Sequence, residues 1–164
     1  MTSRFIIAWK LCATMRSDDV TATLDLALAA SGLDQITVAH RPRVLSGNGS
    51  SYISADFATW LDGKGMQHVR GARHHPQAQG EIERWHQTLK NRILLENYYL
   101  PDDIERQVAA FVARYNHARY HESLGTLMPA DVYCGRGQAI LTERERIKHQ
   151  TIQQRRLQHH LQAA

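Results

Sequence analysis

The stretch HHPQAQGEIERWHQTLK at positions 74–90 contains the side chains best suited to chemistry. Its pattern predicts a helix near Glu83, with Gln87 and Lys90 following on the same face one and two turns later. The carboxylate can bind a metal, and the two longer side chains can contact a DNA backbone. Each also has a simpler interpretation, because acids favour the first turn of a solvated helix and polar side chains keep a surface soluble.

Two further groups combine basic or imidazole side chains. Arg73, His74 and His75 form a basic loop that can touch phosphate, or is simply a flexible surface loop. His117 and His121 are four residues apart, a spacing that can bind a transition metal on a helix, although such a pair more often lies on the surface.

The stretch VLSGNGSSYIS at 44–54 places Gly47 where an apolar run ends and a turn begins. Many enzymes keep a carboxylate at such a position. Asn48 and Gly49 suit the turn, and Ser54 suits the cap of the helix that follows.

The elements that must position these residues alternate between strands and helices. Strands are predicted within 4–12, 36–45 and 66–70. Helices are predicted from a Ser17 cap to Gly32, from a Ser54 cap to Gly63–Gly65, from about Glu83 through Ile93, and from Pro101 to about His117. The residues from Gly137 onward predict an exposed helix or a disordered arm. Together these elements predict an α/β architecture.

Composition limits the class of protein. The 164 residues are 43% hydrophobic and 22% charged, which is typical of one soluble globular domain with a real core. The net charge of +4 permits a polyanionic partner without requiring one. Cys12 and Cys134 form no metal-binding or disulfide pattern, and no segment predicts a signal peptide or a membrane span, so we expect a cytoplasmic protein.

Three motifs, in order, resemble those of retroviral-integrase-type transposases, the enzymes of many bacterial insertion sequences. The stretch 74–90 resembles the His-Pro-Gln motif in which a glutamate opens a helix, here Glu83. YNHARYHESLGTLMPADVY at 115–133 resembles the pattern that closes such domains, and 44–54 resembles the family's Ser-Asp-Asn-Gly turn. The 35 residues between Gly47 and Glu83 match the family's separation between its second and third acids.

The resemblance implies a site of three carboxylates that holds Mg²⁺ or Mn²⁺ and carries out cleavage and strand transfer of DNA. Carried over to this sequence, Glu83 is the third acid and the surviving metal ligand, whereas the second position is Gly47. The first Asp would lie upstream of residues 4–12, and the chain starts after it. We therefore expect a chain that binds metal weakly and is catalytically inactive by itself.

The resemblance also implies a ribonuclease H-like fold, here truncated by its first two strands and followed by two long helices. We expect an incomplete integrase-like domain at 1–135 and a polar tail at 136–164. Because the missing strands would leave residues 4–12 without neighbours, the remaining strands either pair differently or the chain folds poorly alone.

Three functions remain open from the sequence. The first is a transposase or integrase domain that has lost its catalysis. The second is a fragment that binds DNA, forms homo-oligomers or associates with an intact transposase. The third is an unrelated structural or adaptor protein with an α/β layout, which the three motifs disfavour.

Overall fold

The computed structural model describes residues 3–33, 42–71, 80–96 and 98–162. Its elements in chain order are α1 (Ser17–Ser31), β1 (Val44–Ser46), α2 (Ser50–Ile53), α3 (Ala55–Lys64), β2 (His68–Arg70), α4 (Gly80–Ile93), α5 (Pro101–His117), a 3₁₀ turn (Glu122–Leu124), α6 (Pro129–Tyr133) and α7 (Gly137–Gln162). This is a mixed α/β fold with a small sheet and many helices, as the sequence predicts.

The sheet within the described residues consists of β1 and β2, which run parallel. Val44 is opposite His68, and Ser46 is opposite Arg70. The strand predicted at 66–70 is confirmed, as is the part of the 36–45 prediction that contains β1. Residues 36–41 lie outside the described residues.

The strand predicted at 4–12 is wrong, because the described residues of this stretch form neither helix nor strand. The composition of 4–12 is rich in residues that favour strands, which is why the sequence predicts one there. A strand also needs a neighbour for its backbone hydrogen bonds, and no described strand pairs with this stretch.

Local hydrogen bonds explain where two of the helices begin. The cap predicted at Ser54 is confirmed, since its hydroxyl accepts a hydrogen bond from the Phe57 backbone N–H at 3.2 Å. The cap predicted at Ser17 is wrong by one residue. The cap is Arg16, whose backbone N–H donates to the Asp19 carboxylate at 3.3 Å, and Ser17 is already helical.

The chain forms two compact units. In Ile6–Ala109, Phe57 is fully buried and forms a cluster with Leu28, Leu61 and Met66. Partly buried side chains pack against this cluster, among them Val20, Leu24, Val44, Tyr52 and Trp60. Apolar side chains of α1 and α3 therefore build the core that supports β1.

The second unit contains Met1–Phe5 and Ala110–Ala164. Its buried core hydrophobic residues come from the end of α5, the turn that follows it and α6: Val112, Tyr115, Leu124, Leu127 and Ala130. Phe5 stacks on Tyr133 with ring centroids 4.4 Å apart. α7 is helical and exposed along almost all of its length, so the first of the two alternatives for the tail is the observed one. Among the described residues, no helix has the length and apolar character needed to span a membrane.

Candidate functional site

The candidate site lies at the carboxyl end of the two strands. Gly47 directly follows β1, and Gly71 directly follows β2. The backbone N–H of Gly71 donates to the Ser46 carbonyl at 3.0 Å. The hydrogen bonding between β1 and β2 therefore continues to the residue that directly follows β2. Position 47 is therefore held at a defined place on the sheet edge. Ligands of open α/β sheets commonly bind beyond this edge.

The side chain before Gly47 is part of a small hydrogen-bonded group. Ser46 is buried, and its hydroxyl donates to the Gly47 carbonyl at 2.9 Å. The same oxygen lies 2.8 Å from Nε2 of His68. Because the hydroxyl proton is used by Gly47, Nε2 of His68 is the donor in this second bond. Burial, with the charge of Arg70, lowers the pKa of His68, which favours this neutral imidazole.

The side chain after Gly47 is also engaged. Nδ2 of Asn48 donates to the Gly71 carbonyl at 3.1 Å and joins the ends of the two strands. The polar side chains on both sides of Gly47 thus stabilise the turn, and Gly47 itself contributes no side chain to the edge.

The backbone does not explain why position 47 is glycine. Among the described glycines, positive φ angles occur at Gly32, Gly65, Gly125 and Gly135, and Gly47 is not one of these. An L-residue can therefore adopt the backbone conformation found at position 47.

Glu83 lies in the first turn of α4, and its side chain is exposed. Gln87 and Lys90 are also exposed at the predicted helical spacing, while Trp85, Leu89 and Ile93 are partly buried. Nε2 of Gln87 donates to the Asn91 side chain at 2.7 Å. Within the part of the chain that the structure describes, Glu83 has no ion-pair partner. Arg73, His74 and His75 lie outside the described residues.

The predicted pair of His117 and His121 does not share a helix. His117 is the last residue of α5, whereas His121 is buried and pairs with Leu127 in an isolated antiparallel bridge. The interpretation as a metal-binding pair on one helix is therefore wrong. The interpretation as a surface pair is wrong for His121, while His117 is exposed. Burial, with the charges of Arg119 and Arg4, lowers the pKa of His121.

The donor set does not fit a pair of Mg²⁺ ions. No cluster of three or more His, Cys, Asp or Glu side chains suited to a metal occurs within 3–33, 42–71, 80–96 and 98–162. At the sheet edge, Gly47 has no side chain, while Ser46 and Asn48 are used in the turn. Hard divalent cations need several oxygen ligands, and one exposed carboxylate supplies too few.

No pattern in the sequence indicates that Ser46, His68 and Asn48 form one group. Side chains alternate between the two faces of a strand, but this alternation predicts that Ser46 and His68 share a face only if the register of β1 against β2 is already known. Parallel pairing over three residues leaves too short a pattern to predict that register.

The fold described here matches solved integrases. The catalytic core domain of BIV integrase matches with a TM-score of 0.57 and 19% identity, over 85% of this chain and 84% of that chain. A chain from the simian T-cell lymphotropic virus intasome in complex with PP2A regulatory subunit B56 gamma matches with a TM-score of 0.54 and 19% identity, over 67% of this chain. The present chain spans 37% of that intasome chain's length.

This similarity identifies the fold as the ribonuclease H-like fold of integrase catalytic cores. Two family models, both described as integrase core domain, match residues 1–76 and 64–129. The second match contains Glu83, and the first contains Gly47. Together the two matches extend over residues 1–129 and, with the structural similarity, support an integrase catalytic-core fragment.

Proposed function

We propose that this chain is an integrase core domain of the insertion-sequence transposase type that does not catalyse strand transfer by itself. The observation that carries the proposal is Gly47, because it occupies the place at the end of β1 where the family resemblance expects the second acid. The turn around it is intact, with Ser46 and Asn48 both hydrogen-bonded. The scaffold of the site is thus retained without its carboxylate.

The missing carboxylate matters because of the chemistry. In two-metal phosphodiester reactions, one ion activates the attacking oxygen and the other stabilises the leaving oxygen, with the ions about 3.5–4 Å apart. Carboxylates shared by both ions hold them at this separation despite their mutual repulsion. Groups that act as such a unit lose most of their rate enhancement when one is removed.

The integrase core domain family is generally dependent on divalent metals. For this chain we propose that Glu83 is the surviving ligand of that site and holds Mg²⁺ or Mn²⁺ only weakly. Gln87 and Lys90 are proposed to face DNA, since both are exposed on the side of α4 that carries Glu83. Arg73, His74 and His75 are proposed as further phosphate contacts in the segment that leads into α4.

A second candidate function is association with an intact transposase. It is favoured by Leu45 and Val69, which are opposite each other in the two strands and are 53% and 40% exposed. Apolar side chains paired on a sheet are usually covered in a ribonuclease H-like α/β fold. An intact relative that covers them would form a mixed oligomer, in which the inactive subunit inhibits transposition.

The proposal is tested with purified protein and a labelled DNA duplex that ends in the terminal repeat of the element. We expect neither nicking nor strand transfer with Mg²⁺ or Mn²⁺. An intact relative of the same family provides the positive control. Nicking by the wild type that disappears in Glu83→Gln would contradict the proposal, because it would show that the site works without a second carboxylate.

The second candidate is tested separately by co-expression with an intact relative. Co-purification that is lost in Leu45→Ser/Val69→Ser supports association through the sheet. Co-purification that is unaffected by these substitutions would contradict a role for this surface.

A further inference from the structure

The long helix α7 has an uneven distribution of charge. Its two acidic residues, Glu143 and Glu145, lie near its beginning. Glu143 pairs with Arg146 at 2.6 Å, and Glu145 pairs with Lys148 at 3.3 Å. The negative charge of the helix is therefore confined to its first turns and locally compensated.

The rest of the helix is basic and contains no acid. Residues 146–162 carry four formal positive charges and three histidines: Arg146, Lys148, Arg155, Arg156, His149, His159 and His160. Neither Arg155 nor Arg156 has an ion-pair partner among the residues that the structure describes. Their charges are thus available to a partner outside the chain.

Helical geometry places several of these basic residues on one side. At about 100° per residue, Lys148, Arg155 and His159 fall within about 40° of one another, and Arg156 lies about 60° beyond His159. We call these four residues the distal basic face. From Lys148 to His159 the face extends about 16 Å along the helix, which is close to the length of five base pairs of duplex DNA.

The distal half of α7 has little support from the rest of its unit. Arg144 fixes the first part of the helix, since its guanidinium donates to the carbonyls of Gly125 and Thr126 at 3.3 and 3.1 Å. After Arg144, all described side chains are exposed except Thr151, which is partly buried. A helix of this length without tertiary contacts is marginally stable in water. A partner that neutralises the basic residues would stabilise it.

We propose that the distal basic face of α7 binds the phosphate backbone of duplex DNA. A polyanion complements the unpaired charges of Arg155 and Arg156, and the face is long enough to contact several phosphates. Three apolar residues of the distal half, Ile147, Leu157 and Leu161, share a narrow sector of about 80°, while the fourth, Ile152, lies on the side of the distal basic face. The apolar residues therefore form no broad face of the kind that inserts into a lipid surface. This surface lies beyond residue 129 and so outside the matched integrase core.

The binding site is independent of the candidate catalytic edge, so it can be tested without metal. Anisotropy of a short fluorescein-labelled duplex, measured in EDTA with the full chain, gives the Kd as a function of salt. The variant Arg155→Gln/Arg156→Gln removes two charges and keeps good helix formers. The slope of log K against log salt should become less steep by about 1.8, and the Kd at about 0.1 M salt should rise by up to about 60-fold.

The matched control is Gln153→Ala/Gln154→Ala, which changes two adjacent exposed residues of the same helix without changing charge. We expect this variant to bind as the wild type does, and circular dichroism should show equal helix content in all three proteins. The proposal is overturned if the arginine variant keeps the wild-type slope and Kd, or if the control loses as much affinity. It is also overturned if the wild type binds phosphatidylserine vesicles but not the duplex.

Discussion

Acid should destabilise the turn after α5 through His121. This residue is 8% exposed, and its ring lies 4.9 Å from that of Tyr115. Its Nε2 is buried without a hydrogen-bond partner among the described residues. Protonation would therefore bury an unpaired positive charge, close to Arg119 and Arg4, which also lower the pKa of the imidazole.

The direction of the pH effect follows from linkage. The folded pKa of His121 is below the ordinary value of 6.5, so the unfolded turn binds a proton first as the pH falls. Stability is fully present above about pH 6.5 and is lost between that value and the lower folded pKa. One histidine can contribute at most about 1.4 kcal/mol per pH unit, or a tenfold change in the opening equilibrium.

A local probe is needed because His68 and His86, in the other unit, also have lowered pKa values. The backbone N–H groups of Leu124 and Thr126 donate to the His121 carbonyl at 3.0 and 2.9 Å. Their hydrogen-exchange protection factors, corrected for intrinsic rates, report opening of this turn. We expect them to fall by up to about tenfold for each pH unit below about 6.5.

His121→Phe keeps a ring against Tyr115 but cannot titrate, so its protection factors should not fall in this way. His160→Gln, at the exposed end of α7, removes one imidazole elsewhere and should keep the wild-type response. Protection factors that do not change between about pH 7.5 and about pH 5.5, or that fall equally in His121→Phe, would refute the reasoning.

Two other changes test the packing and the backbone of the first unit. Phe57→Ala should destabilise Ile6–Ala109 by about 3–5 kcal/mol, because Phe57 is fully buried. Urea unfolding, followed by the fluorescence of Trp60, which stacks on Phe57, would measure the loss. An unchanged unfolding midpoint would contradict this prediction. Gly63→Ala should stabilise α3 by up to about 1 kcal/mol, whereas Gly65→Ala should destabilise its end by about 1 kcal/mol, because Gly65 has a φ of 63°. Equal effects of the two substitutions in thermal unfolding would count against this account.

Features that depend on neighbouring residues were predictable from the sequence. The Ser54 hydroxyl bonds to a backbone group three residues away, and Gly65 adopts the left-handed conformation just after α3, so local chemistry determines both ends of this helix. The first helix shows the limit of the same reasoning. Asp19 bonds to the backbone of Arg16 and shifts the cap by one residue from the predicted Ser17.

Features that depend on distant pairing were not predictable in the same way. Residues 4–12 have the composition of a strand, but a ladder requires a partner that composition does not reveal. The contact between Ser46 and His68 depends on the register of two short strands. The motif spacing predicts that Glu83 and Gly47 are equivalent to two family positions, but a count of residues gives no distance between a helix and a sheet edge.

We propose above all that Gly47 leaves this integrase core without a working metal site. The most direct measurement is Mn²⁺ binding, followed by the loss of the free-ion electron paramagnetic resonance signal, in the wild type, Gly47→Asp and Gly47→Asp/Glu83→Gln. We expect the wild type to bind little Mn²⁺, Gly47→Asp to bind more, and the double variant to lose that gain. Binding by the wild type as tight as that of Gly47→Asp, and dependent on Glu83, would contradict the claim.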